Sequence, residues 1–440
     1  MTLPSNILQS VQTYQKSDLA FLQNYSCFIR NCNTKFKNFQ ELTAQLGSTV
    51  TFDLPPRGVV TNNLVVTFQS AVQRVQSLSV DQQFSYANDF NVQQFVFNVK
   101  DYLQMFGKAA IAELGSVIEA NIALNAVSGV INNDPNSASQ GTANTNSVPY
   151  RFYGDGLTFI NSYNQIGKML SNFRNYGCPT NGKLKVFLTD TMIPDIVSSG
   201  FSQFVIDRNE EDFQSWMLGS FDNAEFYRSN LLPVHTAGTV GNSAQTLTVI
   251  STNDSTGANV TQITFSGATA SDTQAVKAGD LFQFSDGVSG QTNLRFLTFI
   301  GHQVSAQPVQ FRATADAAAD GSGHVTVTLV AGSNGQGLTW QSGNQNQNVN
   351  VQIAAGMQVT ALPNHRAGLI VAGEAMYLAM PRLPDETPYP TANESDPETG
   401  VSIRHYYGSL FGQNQRGYVR DCIMGSTIVP EYSMRIAVPV

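Results

Sequence analysis

The spacing of apolar side chains along this chain changes several times, and each change predicts a different element. In residues 5–24, Ile7, Leu8, Val11, Leu19 and Leu22 form a loose helical stripe behind a Ser5 cap. The stretch "GSTVTFDLPPRG" then alternates Val50, Phe52 and Leu54 with Thr49, Thr51 and Asp53, which is a strand stopped by Pro55-Pro56. Runs rich in β-formers from Leu64 to Phe68 and from Leu78 to Tyr86 flank "QSAVQRVQS", too long for a tight turn but suited to an extended two-stranded arm. An isolated ribbon of two strands is marginal in water, so it needs a surface to lie on, and the natural candidate is another copy of the chain.

The longest periodic signal follows. Val92, Phe95, Val96, Val99, Leu103, Phe106, Ala110, Leu114, Val117, Ile118 and Ile122 keep helical spacing, and a single helix from Asn91 to Val127 would be about 55 Å long. Gly107 and Gly115 each cost about 1 kcal/mol against alanine, which leaves two helices broken at Gly107 as the alternative. "NNDPNSASQGTANTNSVPY" reads as a loop. A second helix is expected through Leu157, Ile160, Ile166, Leu170 and Phe173, then a buried strand "LKVFL". In "TDTMIPDIVSSG" Asp190 or Thr191 would cap a helix, with Pro194 in an early turn and Gly200 as the stop. Residues 150–233 therefore predict an α/β lobe.

From Thr236 to about Asn364 the texture is different. Short alternating runs ("TLTVIS", "VTQITFS", "DLFQFSD", "LRFLTFIG", "VQFRATA", "HVTVTLV", "NVQIAA") are separated by Gly, Asn, Asp and Ser turns, the pattern of a small β-barrel or sandwich complete in itself. Helical pattern is expected to return at "AGLIVAGEAMYLA", and "GVSIRHYYGS", "RGYVRDCIMGSTIVP" and "SMRIAV" supply strands at the end, beside the long helix.

Composition narrows the function. At 440 residues about three domains or lobes are expected. A net charge of -8 gives no general basis for the counterion release that drives nucleic-acid binding. Charged residues make up only 13% of the chain, which lowers the desolvation cost of repeated protein contacts, although a neutral secreted β protein has the same signature. Cys27, Cys32, Cys178 and Cys422 show no zinc spacing and are too sparse for a disulfide framework, so they are read as reduced. The beginning lacks a signal-peptide pattern and no run approaches 18 uninterrupted apolar residues, so a soluble chain made in the cytoplasm, with no membrane partner, is expected. The sequons at Asn253 and Asn259 are then chance matches.

Candidate chemistry is thin. There is no GxSxG elbow, P-loop, GxGxxG after a strand, or HExxH, and His235, His302, His324, His365 and His405 are scattered without helical pairing. Asp316 and Asp320 in "ADAAADGSGH" stand where a calcium loop could begin, but alanines occupy its ligand positions. The acidic string from Arg208 to Phe213 reads as a solvated turn. No catalytic, cofactor-binding or metal-binding residue is expected.

The order of parts, together with "GSFDNAEFYRSNLLPVHTAG" (Gly219–Gly238), "VKAGDLFQFSDG", "NHRAGLIVAGEAMYLAMPRLP" (Asn364–Pro384), "DPETGVSIRHYYG" and "RGYVRDCIMGSTIVPEYSMRIAV", resembles the major capsid proteins of tailed bacteriophages, in the short-tailed-phage subgroup with an inserted β-barrel. The resemblance implies an α+β capsid (Johnson) fold and a division of the chain. Residues 1–54 would be the N-terminal arm and first strand, 55–90 the extended loop, and 91–129 the spine helix of the peripheral domain. Residues 130–235 and 364–385 would be the axial domain, 236–363 the inserted barrel, and 386–440 the last peripheral strands. It also implies self-assembly into hexamers and pentamers of an icosahedral shell that encloses double-stranded DNA without reading its sequence. Scaffolding and portal proteins would be partners, and assembly would take place in the host cytoplasm. No lysine occurs between Lys37 and Lys100, so the lysine cross-link that some capsids of this fold make on the extended loop is not expected, and the shell would hold by noncovalent burial. Arg57 and Arg74 are the candidates for steering the loop onto an acidic neighbour, and Asp254 for a contact across a twofold axis. A β-rich surface adhesin is the alternative function, and an enzyme with a β accessory domain the third.

Overall fold

The computed structural model describes residues 26–34, 49–54, 58, 60, 68, 74–128, 151–177, 182–194, 217–285, 294–330, 337–373, 375–385, 389, 391–395, 400–409 and 415–440. The expected helical stripe of residues 5–24, residues 64–67 of the arm, Cys178, the loop through residues 132–150, and Arg208–Phe213 lie outside them.

The spine is one continuous helix, Val92–Ser128, running through both Gly107 and Gly115, so the two-helix alternative falls away. Of the expected stripe Ala110, Leu114, Ile118 and Ile122 are buried, joined by Ile111 and Val127, whereas Val117 is 48% exposed and lies off the buried side. Within it Ala109–Val127 is long and apolar enough to cross a membrane by composition, and more than half of it is buried inside the protein.

Two sheets make the body. In the first, the strand order is Phe152–Tyr153, Ser433–Val438, His365–Val371, Leu184–Leu188, Ala224–Arg228 and Met217–Phe221, with Val234–His235 also paired to His365–Val371. In the second, Met376–Ala379, Gln415–Ile428, Ser402–Ser409 and Thr391–Ser395 lie side by side, and Gln82–Asn91 pairs along Gln415–Ile428. A separate ribbon joins Thr49–Leu54 to Arg74–Ser79, with Val50 opposite Leu78. Its base rests on the second sheet at Gly425, where a Cβ atom would run into the carbonyl of Ser79.

The inserted strands form a six-stranded sheet in the order Gln310–Arg312, Leu281–Phe284, Gln358–Ala361, Thr246–Thr252, Gln262–Ser266 and His324–Thr328. Just beyond Gln310–Arg312, Thr314 N donates to Thr328 O at 2.8 Å, a single bond between the chain at the two ends of this sheet. Phe265, Phe282 and Phe311 stack inside, with Phe284 against them. A hairpin, Arg295–Leu297 with Val304–Pro308, stands beside this sheet.

Four expectations need correction. "AGLIVAGEAMYLA" is not helical: it is the strand His365–Val371 followed by Met376–Ala379. Leu369, Ile370 and Val371 are all buried, and a strand covered on both faces has no period to distinguish it from a buried helix. The second helix begins at Tyr163, not near Leu157, because Ser162 adopts extended backbone and its side chain accepts from Gln165 N at 3.3 Å. Leu157 stays 72% exposed, in a turn held by Asp155. The run Leu78–Tyr86 is divided between two strands with different partners. "NVQIAA" is not a strand; the inserted sheet instead uses Gln358–Ala361, and Val351 is exposed.

Candidate assembly elements and the insert junction

The chain leaves the body for the insert just after Val234–His235 and returns just before His365–Val371, and these two crossings pair, with His235 opposite His365. Sequence placed these two histidines far apart; the fold brings their ring centroids to 5.2 Å, with the planes tilted by 48°. Asp280, from the turn that opens strand Leu281–Phe284, joins them. It is 1% exposed and accepts from His235 Nε2 at 2.7 Å, from Lys277 N at 2.8 Å and from Gly238 N at 3.1 Å. The turn carries glycine for a physical reason: Gly279 has φ +95°, and a Cβ there would sit 2.9 Å from His235 Cε1.

Arg435 completes the junction from the last strand. It is 1% exposed and donates to Gly279 O at 3.1 Å, to Val127 O at 2.9 Å and to His365 Nε2 at 3.2 Å. An arginine only donates, so His365 Nε2 accepts, and its Nδ1–H donates to Pro363 O at 2.8 Å. This is a neutral imidazole. Burial, then the Arg435 charge, hold its pKa down at about 3. One arginine thus ties the insert, the return strand and the end of the spine to one another.

Further contacts fix the insert in place. Phe152 N in the body donates to Gln310 Oε1 in the insert at 2.9 Å, beside an apolar cluster of Phe152, Leu281, Leu362 and Ala437. Phe299 N donates to Tyr176 O at 2.7 Å, and the Phe299 ring meets Tyr432 edge-on at 5.9 Å. Such a junction positions one unit against another. It offers no nucleophile with a base beside it, and among the described residues no group of His, Cys, Asp and Glu could hold a metal ion.

Of the three residues singled out from sequence, Arg57 lies outside the described residues. Arg74 opens the second strand of the ribbon, opposite Leu54; its side chain is not among those described. Asp254 is half-buried in an insert loop, where it accepts from Thr256 Oγ1 at 2.6 Å and from the N–H groups of Thr256 and Asn259, each at 2.9 Å. The Thr256 hydroxyl and the Asn259 N–H hold its carboxyl below the usual carboxylate range. Asp254 therefore braces its own loop. His235, Asp280, His365 and Arg435 were not singled out. The available signal was the pair of histidines at the two edges of the change in texture, with a Gly-Asp turn before an inserted strand.

Residues 158–377 match the family model described as "P22 coat protein - gene protein 5", which is half of the chain. No curated protein sequence matches. Among solved structures, the capsid of Ralstonia phage GP4 is 11% identical with a TM-score of 0.40, covering 90% of this chain and 83% of that one. The mature capsid subunit of bacteriophage PhiM1 is 8% identical with a TM-score of 0.39, over 94% and 87%. A virus-like particle from Pyrococcus furiosus is 4% identical with a TM-score of 0.40, over 97% and 98%. The family match defines a major capsid protein of a tailed phage, a subunit that forms the virion shell with copies of itself. The chain belongs to the P22 coat protein family.

Proposed function

We propose that the shell is held without cross-links, by the N-terminal arm, the extended loop of residues 55–90 and the insert of residues 236–363, each contacting neighbouring subunits in hexamers and pentamers. The observation that carries this reading is the exposure of Val60 at 96% and Phe68 at 93% beyond a ribbon whose base residues Val50 and Leu78 are buried. Large apolar side chains left in water at the end of a two-stranded ribbon have partners to find, and identical neighbours provide them at every repeat. Residues 130–235 and 364–385 would then face the capsomer centre, and 91–129 with 386–440 its periphery. Arg57 and Arg74 would steer the loop onto an acidic neighbour, and Asp254, through the loop it braces, would support a contact across a twofold axis. The acidic chain encloses DNA without condensing it, with scaffolding and portal proteins as partners during assembly in the host cytoplasm.

The test is the double substitution Val60→Asp, Phe68→Asp in the full chain. Light scattering and negative-stain microscopy are expected to show shells or tubes for the unaltered protein. The variant should remain as subunits or capsomers with unchanged circular dichroism. Shells of normal size and yield from the variant would overturn the role given to the loop.

A further inference from the structure

The arginine tie at the insert junction leaves one of its members no place for a second proton. His365 is fully buried on the return strand, and both of its ring nitrogens are committed. Nδ1–H donates to Pro363 O at 2.8 Å, and Nε2 accepts from Arg435 Nη1 at 3.2 Å. A further proton could go only to Nε2, where it would meet a guanidinium that has nothing but donors. The same guanidinium holds Gly279 O of the insert turn at 3.1 Å and Val127 O at the end of the spine at 2.9 Å. Whatever displaces Arg435 from His365 disturbs all three elements at once.

Charged and titratable groups reach this ring from several elements. The crossing strand brings His235, with its ring centroid 5.2 Å away, and the last strand brings Arg435. The insert turn brings Lys277 and Asp280, and the Asp280 carboxylate is already taken up by His235 Nε2, Lys277 N and Gly238 N. The turn after Phe152–Tyr153 carries Tyr153 and Asp155 and comes close to the base of the ring: a Cβ on Gly156 would sit 3.3 Å from His365 Cβ. Asp155 is occupied there with Leu157 N, Thr158 N and Thr158 Oγ1. Arg366, next along the return strand, alternates to the opposite face. Among the described residues no carboxylate is hydrogen-bonded to His365; its partners are a carbonyl and an arginine.

We propose that the junction is an acid-sensitive fastening: uptake of one proton by His365 parts it from Arg435, and the mount of the insert on the return strand and the spine loosens while the inserted sheet keeps its fold. The direction follows from the donors. In the closed junction Nε2 has to be bare to accept from an arginine, so the closed state excludes the proton. Once the junction opens, water hydrates the ring and the charged form is no longer penalised. Burial, then the Arg435 charge, hold the closed-state pKa at about 3, against an ordinary 6.5. A group whose pKa is lowered on closing adds stability that is fully present above pH 6.5 and is lost as pH falls toward 3. The open junction gains about tenfold in population for each pH unit below 6.5. The bond from Phe152 N to Gln310 and the Phe299–Tyr432 edge contact use neither an imidazole nor a carboxyl, so the insert stays attached through them.

The test is amide hydrogen exchange of the unassembled full chain at pH 7.5 and 5.0, corrected for the intrinsic pH dependence of exchange; the lower value stays above the ordinary carboxylate range. It reads the free subunit, so failure of the shell reading leaves it unaffected. Protection in residues 235–238 and 365–367 is expected to fall roughly thirtyfold at the lower pH, about tenfold per unit below 6.5. Protection of Gln262–Ser266 should stay constant, as evidence that the inserted sheet is intact. His365→Gln keeps an oxygen that can accept from Arg435 and takes up no proton, so it should remove the pH slope, whatever the absolute protection. His235→Gln should leave the slope in place. A second reading needs no variant: ring nitrogen chemical shifts should show His365 as a neutral imidazole with its proton on Nδ1 at pH 6.0. Protection that is flat or rises as pH falls in the unaltered chain would overturn the proposal, and so would an equal loss in Gln262–Ser266. The same holds for a slope that survives His365→Gln or vanishes with His235→Gln, and for a His365 ring that is already protonated at pH 6.0.

Discussion

The inserted six-stranded sheet and the first body sheet are both built from short strands, yet several of their strands hide side chains in different ways. In the insert, residues 246–250, Gln262–Ser266 and His324–Thr328 alternate buried with exposed or half-buried positions, whereas Leu281–Phe284 and Gln310–Arg312 are buried on nearly every side. In the body, Leu184–Leu188 has four of five residues buried, His365–Val371 six of seven, and Ser433–Val438 all six. The inserted sheet gathers Phe265, Phe282, Phe284 and Phe311 on its buried side. The body sheet has to be covered by other elements on both faces, among them the spine and the docked segment around Phe28. The buried residues of the two regions nevertheless join in one continuous apolar cluster, so the contrast lies in how many faces each strand buries and not in separate cores.

The sharpest way to break this comparison is to empty each region separately. Phe311→Ala should cost about 3–5 kcal/mol within the barrel, and Phe187→Ala, between Phe28 and Tyr227, about as much within the body. Urea unfolding followed by exchange in separate peptides reads the two regions apart. Phe311→Ala should lower the protection of residues 262–266 far more than that of 365–371, and Phe187→Ala the reverse. Equal losses in both regions from either substitution would show one cooperative unit and end the distinction.

A smaller effect is expected at the seam between them. Asp280→Asn keeps one accepting oxygen but turns an NH₂ group toward a site where Lys277 N, Gly238 N and His235 Nε2 all donate. Leaving a buried donor unmatched costs about 1–3 kcal/mol. Exchange should quicken in residues 235–240 and 276–281 while the stacked phenylalanines of the barrel keep their neighbours' protection. If the barrel core loosens to the same extent, the junction is part of the barrel's folding unit and not a mount for it.

The same contrast explains what the sequence revealed. Alternation in "TLTVIS" and "VTQITFS" was legible because one face of each strand meets water, and the spine was legible because one side of it does. "AGLIVAGEAMYLA" was misread as helical because burial on both faces erases the period, and "LKVFL" escaped that error only because it is too short for a helix. The start of the second helix was misplaced at Leu157, whose apolar character carried no information about the Asp155 turn or the Ser162 cap. The junction was not legible at all. Its partners stand 45 residues apart for His235 and Asp280, and 70 for His365 and Arg435, and no local pattern links them.

The smallest predicted effect tests the wet face itself. Thr264 and Thr326 stand opposite each other in register on adjacent barrel strands, with their hydroxyls 2.9 Å apart, Thr264 half-buried and Thr326 exposed. A cross-strand pair of this kind contributes about 0.2–1 kcal/mol, because water replaces the lost hydroxyl partner at little cost. Thr264→Ala in the free subunit should therefore shift the barrel's urea midpoint only slightly. Val186, opposite Ile370 in the body, has no water to replace what it loses, so Val186→Ala should cost several times more. A loss of about 2 kcal/mol or more from Thr264→Ala would mean that this face is as closed as the body sheet. The alternation that distinguishes the barrel would then be a matter of residue type and not of exposure to solvent.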